Sequence, residues 1–397
     1  MKDAWWKAKA RLVGSGILRN VLGTSHRRHA LLLYQVSSFR LGDGPLTHQN
    51  IGQARELARA LSEFGYDLDV VDYDERRRDL LERDYALVVD LHPVEHPLYE
   101  GRLTRGAKRI SYITGSNPAF TNAAERARLD AVRERRGVSL APRRHNPEFP
   151  RRAFESYDAM FLFGGRFALD SFEGFDLPPV HTLVNNGYDQ VDPTDPSLRD
   201  AKRFLFLGGT GQVQKGLDLL LEVFVGAPDL ELVVCSAFRK EPDFVRAYRR
   251  ELFEAPNVHA CGFVDVFSQA FRELQAGCAW MILPSCAEGQ SGSVTAAMSY
   301  GLSPIVSEAC GFEDPEIMTL PDCSMEAIGE SVLAMAAQPR ETVEARSNAS
   351  LDLMRRKYRP KHYAASVRAG LRGVLGVGDN PADTADDASK RLQPRGE

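Results

Sequence analysis

The chain has 397 residues, 43% of them hydrophobic and 26% charged, with a formal net charge of −4. That length holds two domains with separate cores, and the composition is that of an ordinary soluble globular protein. The charge argues against a general nucleic-acid binder, and no run is long and apolar enough to span a bilayer.

Residues 1–28 form a basic arm with Lys2, Lys7, Lys9, Arg11, Arg19, Arg27 and Arg28. Trp5 and Trp6 are interleaved with Leu12, Val13, Ile17 and Leu18. Such an arm either lies on an anionic membrane surface or packs on the protein itself. It lacks the apolar core of a signal peptide. The first domain is assigned to residues 29–190. Buried strands are expected at His29 to Val36, Tyr66 to Val71, Tyr85 to Leu91, Arg109 to Thr114 and Ala159 to Phe163, with a helix from His48 to about Phe64. Strands alternating with helices predict a parallel sheet, with ligands collecting at its carboxyl edge. The loops at Gly42–Gly44, His92–Pro93 and Thr114–Gly115–Ser116 then face a cleft, with His48 at the start of the first helix.

The stretch from Glu125 to Arg152 is rich in arginine and is expected to be largely a solvated helix with internal charge pairs. The sharper reading gives Arg143 and Arg144 an anionic acceptor or lipid head group. A polar hinge with Pro193 and Pro196 is assigned to residues 191–202, and a second domain to 203–376. Its strands are expected at Phe204 to Leu207, Leu230 to Cys235, Val258 to Ala260, Trp280 to Leu283 and Ile305 to Val306. Helices are expected at Leu217 to Phe224, Met325 to Met335 and Val343 to Tyr358, and residues 377–397 read as a disordered tail. Six cysteines, Cys235, Cys261, Cys278, Cys286, Cys310 and Cys323, form no Cys-x-x-Cys pair. That favours a reducing cytoplasm over a zinc site or a disulfide framework.

Two segments of the second domain carry chemistry. After the Phe204 strand comes Gly208-Gly209-Thr210-Gly211, then Gln214-Lys215-Gly216 and an apolar helix. Glycines there let backbone approach a diphosphate, and Lys215 adds positive charge. The spacing is neither that of a P-loop nor that of the dinucleotide fingerprint. After the Trp280 strand, Glu288-Gly289-Gln290-Ser291-Gly292-Ser293 leads into a helix starting near Ser291 and ending at Gly301. A helix start exposes unpaired N–H groups suited to a phosphate or a sugar hydroxyl, and a carboxylate can accept from hydroxyls.

Together these segments resemble the nucleotide-sugar glycosyltransferases of the GT-B fold, retaining family four (glycosyltransferase group 1). The likeness runs from about Arg203 to Phe312 and includes Asn257 to Val264 and Ala297 to Ser307. It implies two Rossmann-like domains facing across a cleft, with the donor in the second and a C-terminal helix crossing back to the first. It implies a transferase that takes a nucleotide-diphosphate sugar, needs no cofactor, and modifies a cell-envelope, polysaccharide or other glycan. Lys215 and the glycine backbone, with no Asp-x-Asp pair at a strand end of the second domain, make it metal-independent, and the basic arm places a lipid-linked acceptor at the cytoplasmic membrane face. The lysine matching Lys215 touches the donor phosphates, and the glutamate matching Glu288 lies at the sugar end. A histidine at the position of His92 stands near the reacting sugar; read without the resemblance, His92 is equally a solvated loop residue. Two positions depart from the family pattern. Ala296 stands where relatives often carry a second glutamate, and Thr210 where they often carry an arginine. A sugar-nucleotide epimerase and a catalytically silent binding protein of the same fold are the alternatives.

Overall fold

The computed structural model describes residues 16–40, 49–94 and 97–377. Gly44, His48, the first half of the basic arm and the tail beyond residue 377 lie outside the described residues.

The first domain is a six-stranded sheet in the order β2-β1-β3-β4-β5-β6. Its strands are β1 (Arg28–Tyr34), β2 (Tyr66–Asp72), β3 (Tyr85–Asp90), β4 (Leu103–Ile113), β5 (Ala159–Phe163) and β6 (Val180–Leu183). Every neighbouring pair is parallel. The sheet forms because β1, β3 and β5 are short apolar runs, almost wholly buried, as a sheet covered on both faces requires. Helix α1 (Gln49–Glu63) covers one face with Ala54, Leu57, Ala58 and Leu61. The described end of the basic arm packs on this domain: Leu18 exchanges backbone hydrogen bonds with Val70, both at 2.8 Å.

The second domain repeats the plan with β7 (Asp200–Gly208), α3 (Leu217–Val225), β8 (Glu231–Ser236), β9 (Val258–Ala260), β10 (Cys278–Leu283), α4 (Gly292–Ser299), β11 (Ser303–Val306) and β12 (Met318–Thr319). Its order, β12-β11-β10-β7-β8-β9, reverses direction between β7 and β10. Helices α5 (Met325–Ala336) and α6 (Arg340–Lys357) complete it. The whole is two Rossmann-like α/β domains joined through the segment ahead of β7.

Helix α7 (Pro360–Leu375) returns to the first domain and inserts Tyr363, Val367 and Leu371 into its core. The Tyr363 ring stacks on Phe163 at 5.9 Å, and its hydroxyl meets Tyr112 Oη at 3.0 Å and the Gln53 carbonyl at 3.1 Å.

Helix α2 (Pro118–Arg136) differs from the solvated helix expected. It is capped by Asn117, whose side chain accepts from Ala119 N at 2.8 Å, and ends at Gly137 in the left-handed conformation. Val132 on α2 is fully buried in the core of the second domain. Arg135 bonds Asp218 and Arg136 bonds Glu251, each at 2.8 Å. The charges pair mainly across the domain boundary, because the helix leaves its own sheet and lies against the other.

Strands β6 and β12 were not expected from the sequence. Only Leu183 is buried in β6 and β12 is two residues long, so neither carries the apolar run that marks a strand.

Replacing Tyr363 by alanine removes a stacked aromatic ring and both hydroxyl contacts from a packed core. The expected loss is about 3–5 kcal/mol. Urea unfolding checks this: the midpoint should fall markedly, with far-UV circular dichroism of the native state retained.

Candidate functional site

In a doubly wound sheet, loops at the reversal of strand order splay apart and leave a crevice at the carboxyl edge. In the second domain those loops follow β7 and β10. They are the glycine loop with Lys215 and the turn with Glu288, although 73 positions separate the two residues.

The loops are tied together. Cys286 N donates to the Gln214 carbonyl at 2.9 Å, Ser285 Oγ to the same carbonyl at 3.2 Å, and the Gln214 side-chain amide to the Ala287 carbonyl. Lys215 Nζ donates to Glu288 Oε1, which also accepts from Ser285 Oγ at 3.1 Å. Their side chains are 6% and 16% exposed, so this is a mostly buried ion pair open at the carboxylate end. Glu288 Oε2 accepts no hydrogen bond from any described residue. Burial alone would raise the Glu288 carboxyl, but the Lys215 charge and hydrogen bond, with Arg144 and Ser285, hold it below the usual carboxylate range.

The glycine loop has room for the lysine because a Cβ on Gly208 would come within 3.2 Å of Lys215 Cδ. Gly211 has φ +86°, which a side chain would strain. The backbone is less open to a ligand than its composition suggests. Gly211 N and Gln212 N donate to the Glu241 carboxylate at 2.6 and 3.2 Å, and Gly209 contributes its carbonyl to Gln212 Nε2 at 2.9 Å. Thr210 is half-buried between them.

The first domain closes directly on the Glu288 turn. Ser116 Oγ and Ser116 N donate to the Glu288 carbonyl at 2.5 and 3.1 Å. A Cβ on Gly289 would lie 2.6 Å from the Thr114 carbonyl oxygen, and one on Gly311 would lie 1.8 Å from the Gly289 carbonyl oxygen. Thr114 and Ser116, expected on the acceptor side, thus abut the donor-side turn. Gln290 serves the same contact: its side-chain oxygen accepts from Asn185 N at 2.7 Å and its carbonyl from Asn185 Nδ2 at 2.6 Å.

Ser291 is the N-cap residue of α4, but its side chain makes no capping bond; its Oγ instead meets Ser293 Oγ at 3.1 Å. The Gly292 carbonyl accepts from Gln49 Nε2 at 3.0 Å, as does Thr295 Oγ1. One turn on, Gln53 Nε2 donates to the side-chain oxygens of Asn185 and Asn186 at 2.7 and 2.8 Å. The sequence reading did not single out Gln49 or Gln53. Their i, i+4 spacing puts two amides on one face of α1, the only signal available.

His92, after β3, lies apart from this cluster. Its ring meets Tyr73 and Phe149 edge-on, each at 5.9 Å, and neither nitrogen bonds a described residue. Burial holds its pKa below the ordinary value, against the pull of Asp90. It follows β3, one of the two strands at the strand-order reversal of the first sheet.

Comparison with known proteins locates the likeness. Residues 201–338, most of the second domain, match the family described as Glycosyl transferases group 1. None of the curated proteins compared with the chain matches in sequence. Among solved structures, sucrose-phosphate synthase of Thermosynechococcus elongatus superposes with a TM-score of 0.62 at 13% identity, over 88% of this chain and 100% of that one. A glycosyltransferase from Rickettsia africae ESF-5 gives 0.59 at 9% identity, over 89% and 100%. HepE of Anabaena, solved with UDP and glucose, gives 0.55 at 10% identity over the same shares. At such identities the likeness is one of fold, and the fold is GT-B.

The ion pair has a pH signature. Glu288 has a depressed folded-state pKa, so its stabilisation is full above its ordinary value near 4.5 and lost as pH falls through the lower folded value. Lys215→Met strands the carboxylate and should cost about 3 kcal/mol at neutral pH. Chemical denaturation from pH 3 to pH 7 should show the gap between mutant and wild type widening as pH rises. A gap independent of pH would mean that Lys215 acts through packing alone.

Proposed function

We propose that the chain is a retaining glycosyltransferase that moves a sugar from a nucleotide-diphosphate sugar to a glycan acceptor. The observation that carries this reading is the Lys215–Glu288 pair at the strand-order reversal of a group 1 glycosyltransferase domain, opened toward the cleft at Glu288.

The chemistry follows from the charges. Sugar transfer breaks the bond to the diphosphate and leaves negative charge on its oxygen, which a fixed cation stabilises more as the charge develops. Lys215 has three donors, of which one goes to Glu288. Those remaining serve the leaving phosphate, so the reaction proceeds without a divalent metal. Glu288 Oε2 accepts from a sugar hydroxyl and fixes the sugar against the phosphate. The facing loop of Thr114 to Ser116 and the wall carrying His92 bring the acceptor hydroxyl in from the first domain. A cell-envelope or polysaccharide glycan is the acceptor class, and the basic arm is the segment that would bring the enzyme to a lipid-linked one.

A second reading, donor binding without turnover, rests on Ala296. It is 3% exposed on α4, where the resemblance expects a glutamate.

Turnover separates these readings. The protein is incubated with UDP-, GDP- and ADP-sugars and oligosaccharide acceptors, with and without EDTA, and the product anomer is read by proton NMR. Transfer with retained configuration, undiminished by EDTA, is expected. Glu288→Gln should lower the rate by about a hundredfold while the protein is still folded, since misorienting the reacting sugar costs on that order. An isomerised donor, or binding without product, would reject the transferase reading.

A further inference from the structure

The cations of the second domain do not match the charge of a diphosphate. Lys215 shares its charge with Glu288, two amides of the glycine loop already serve Glu241, and position 210 is a threonine. Another cation comes from the opposite domain. We propose that Arg144 is a binding residue for the donor diphosphate, gripping from the loop after α2 the group that Lys215 holds from the glycine loop. This rests on the reading of the cleft as a nucleotide-sugar site.

Arg144 lies against the glycine loop. A Cβ on Gly211 would fall 3.3 Å from its Cγ and 3.4 Å from its Nε. Its charge also reaches Glu288 and helps to keep that carboxyl ionised. The residue therefore lies against the glycine loop, with the Lys215–Glu288 pair within reach of its charge.

Its guanidinium is unsatisfied. Arg144 Nε is buried without a hydrogen-bond partner, and the side chain makes no hydrogen bond or ion pair with any described residue. The neighbouring residue is the contrast: Arg143 bonds Asp243 and lies 3.8 Å from Glu241. A buried donor without an acceptor is costly and uncommon, and a planar fork of donors suits phosphate oxygens.

The backbone is fixed in advance. The Glu125 carboxylate, on a residue 2% exposed, accepts from Arg143 N at 2.8 Å and from Arg144 N at 3.0 Å. Holding the chain this way removes part of the ordering cost of binding.

Calorimetry tests the proposal with two probes, inorganic pyrophosphate and the tightest-binding of UDP, GDP and ADP. The proteins are wild type, Arg144→Ala, Arg144→Lys and, as a control for net charge, Arg133→Ala, whose side chain is 61% exposed. Arg144→Ala should weaken both probes by about ten- to a hundred-fold, with Arg144→Lys in between and Arg133→Ala at wild-type affinity. The ligand-free midpoint of Arg144→Ala should stay close to wild type, because the guanidinium holds no hydrogen-bonded partner and only its longer-range attraction to Glu288 is lost. Unchanged affinity in Arg144→Ala with tight wild-type binding overturns this inference alone. A wild type that binds no diphosphate overturns the nucleotide-sugar reading as well.

Discussion

A lysine and a glutamate, both mostly withdrawn from water, meet where the second sheet reverses its strand order, and the rest of the site is arranged around that contact. Each charge alone would pay a heavy desolvation cost at such depth; together they are tolerable only at hydrogen-bond distance. That distance requires the loops after β7 and β10 to be adjacent, which the order β11-β10-β7-β8 supplies. It also requires glycine at 208 under the lysine stem, and at 289 and 311 where backbones touch. The pair is a strained choice for stability alone, since an apolar pair would often serve as well. Its open carboxylate end gives it another use.

The two domains meet largely through polar groups. Their main apolar cores are separate, apart from the Val132 side of α2. What joins them is a set of amides, Gln49, Asn185 and Gln290, and the arginines of α2 with their carboxylate partners. Helix α7 is the exception, an apolar anchor that fixes the end of the second domain to the first sheet.

Much of this was readable before the structure. Strands such as Phe204–Leu207 and Trp280–Leu283 are uninterrupted apolar runs because parallel strands are buried on both faces. The glycine loop and the Glu288 turn stood out by composition. That Lys215 and Glu288 touch did not, since nothing local links them and only the strand order brings them together. The arginines of α2 misled for a related reason: charge spacing along one helix cannot reveal acids such as Asp218 and Glu251 on another domain. Glu241 was invisible as the carboxylate that takes the amides of Gly211 and Gln212. The edge strand β6 was lost because it lacks the buried alternation that marks a strand.

The central claim is that Lys215 and Glu288 act as one unit on one ligand. A double-mutant cycle for nucleotide-sugar binding addresses it most directly, with Lys215→Ala, Glu288→Ala and the combination, each measured by calorimetry against the nucleotide sugar that binds wild type most tightly. Coupled groups should give a combined loss short of the sum of the single losses by about 1–3 kcal/mol. Losses that add would mean that the two residues serve separate sites, and the account built on their pairing would be wrong.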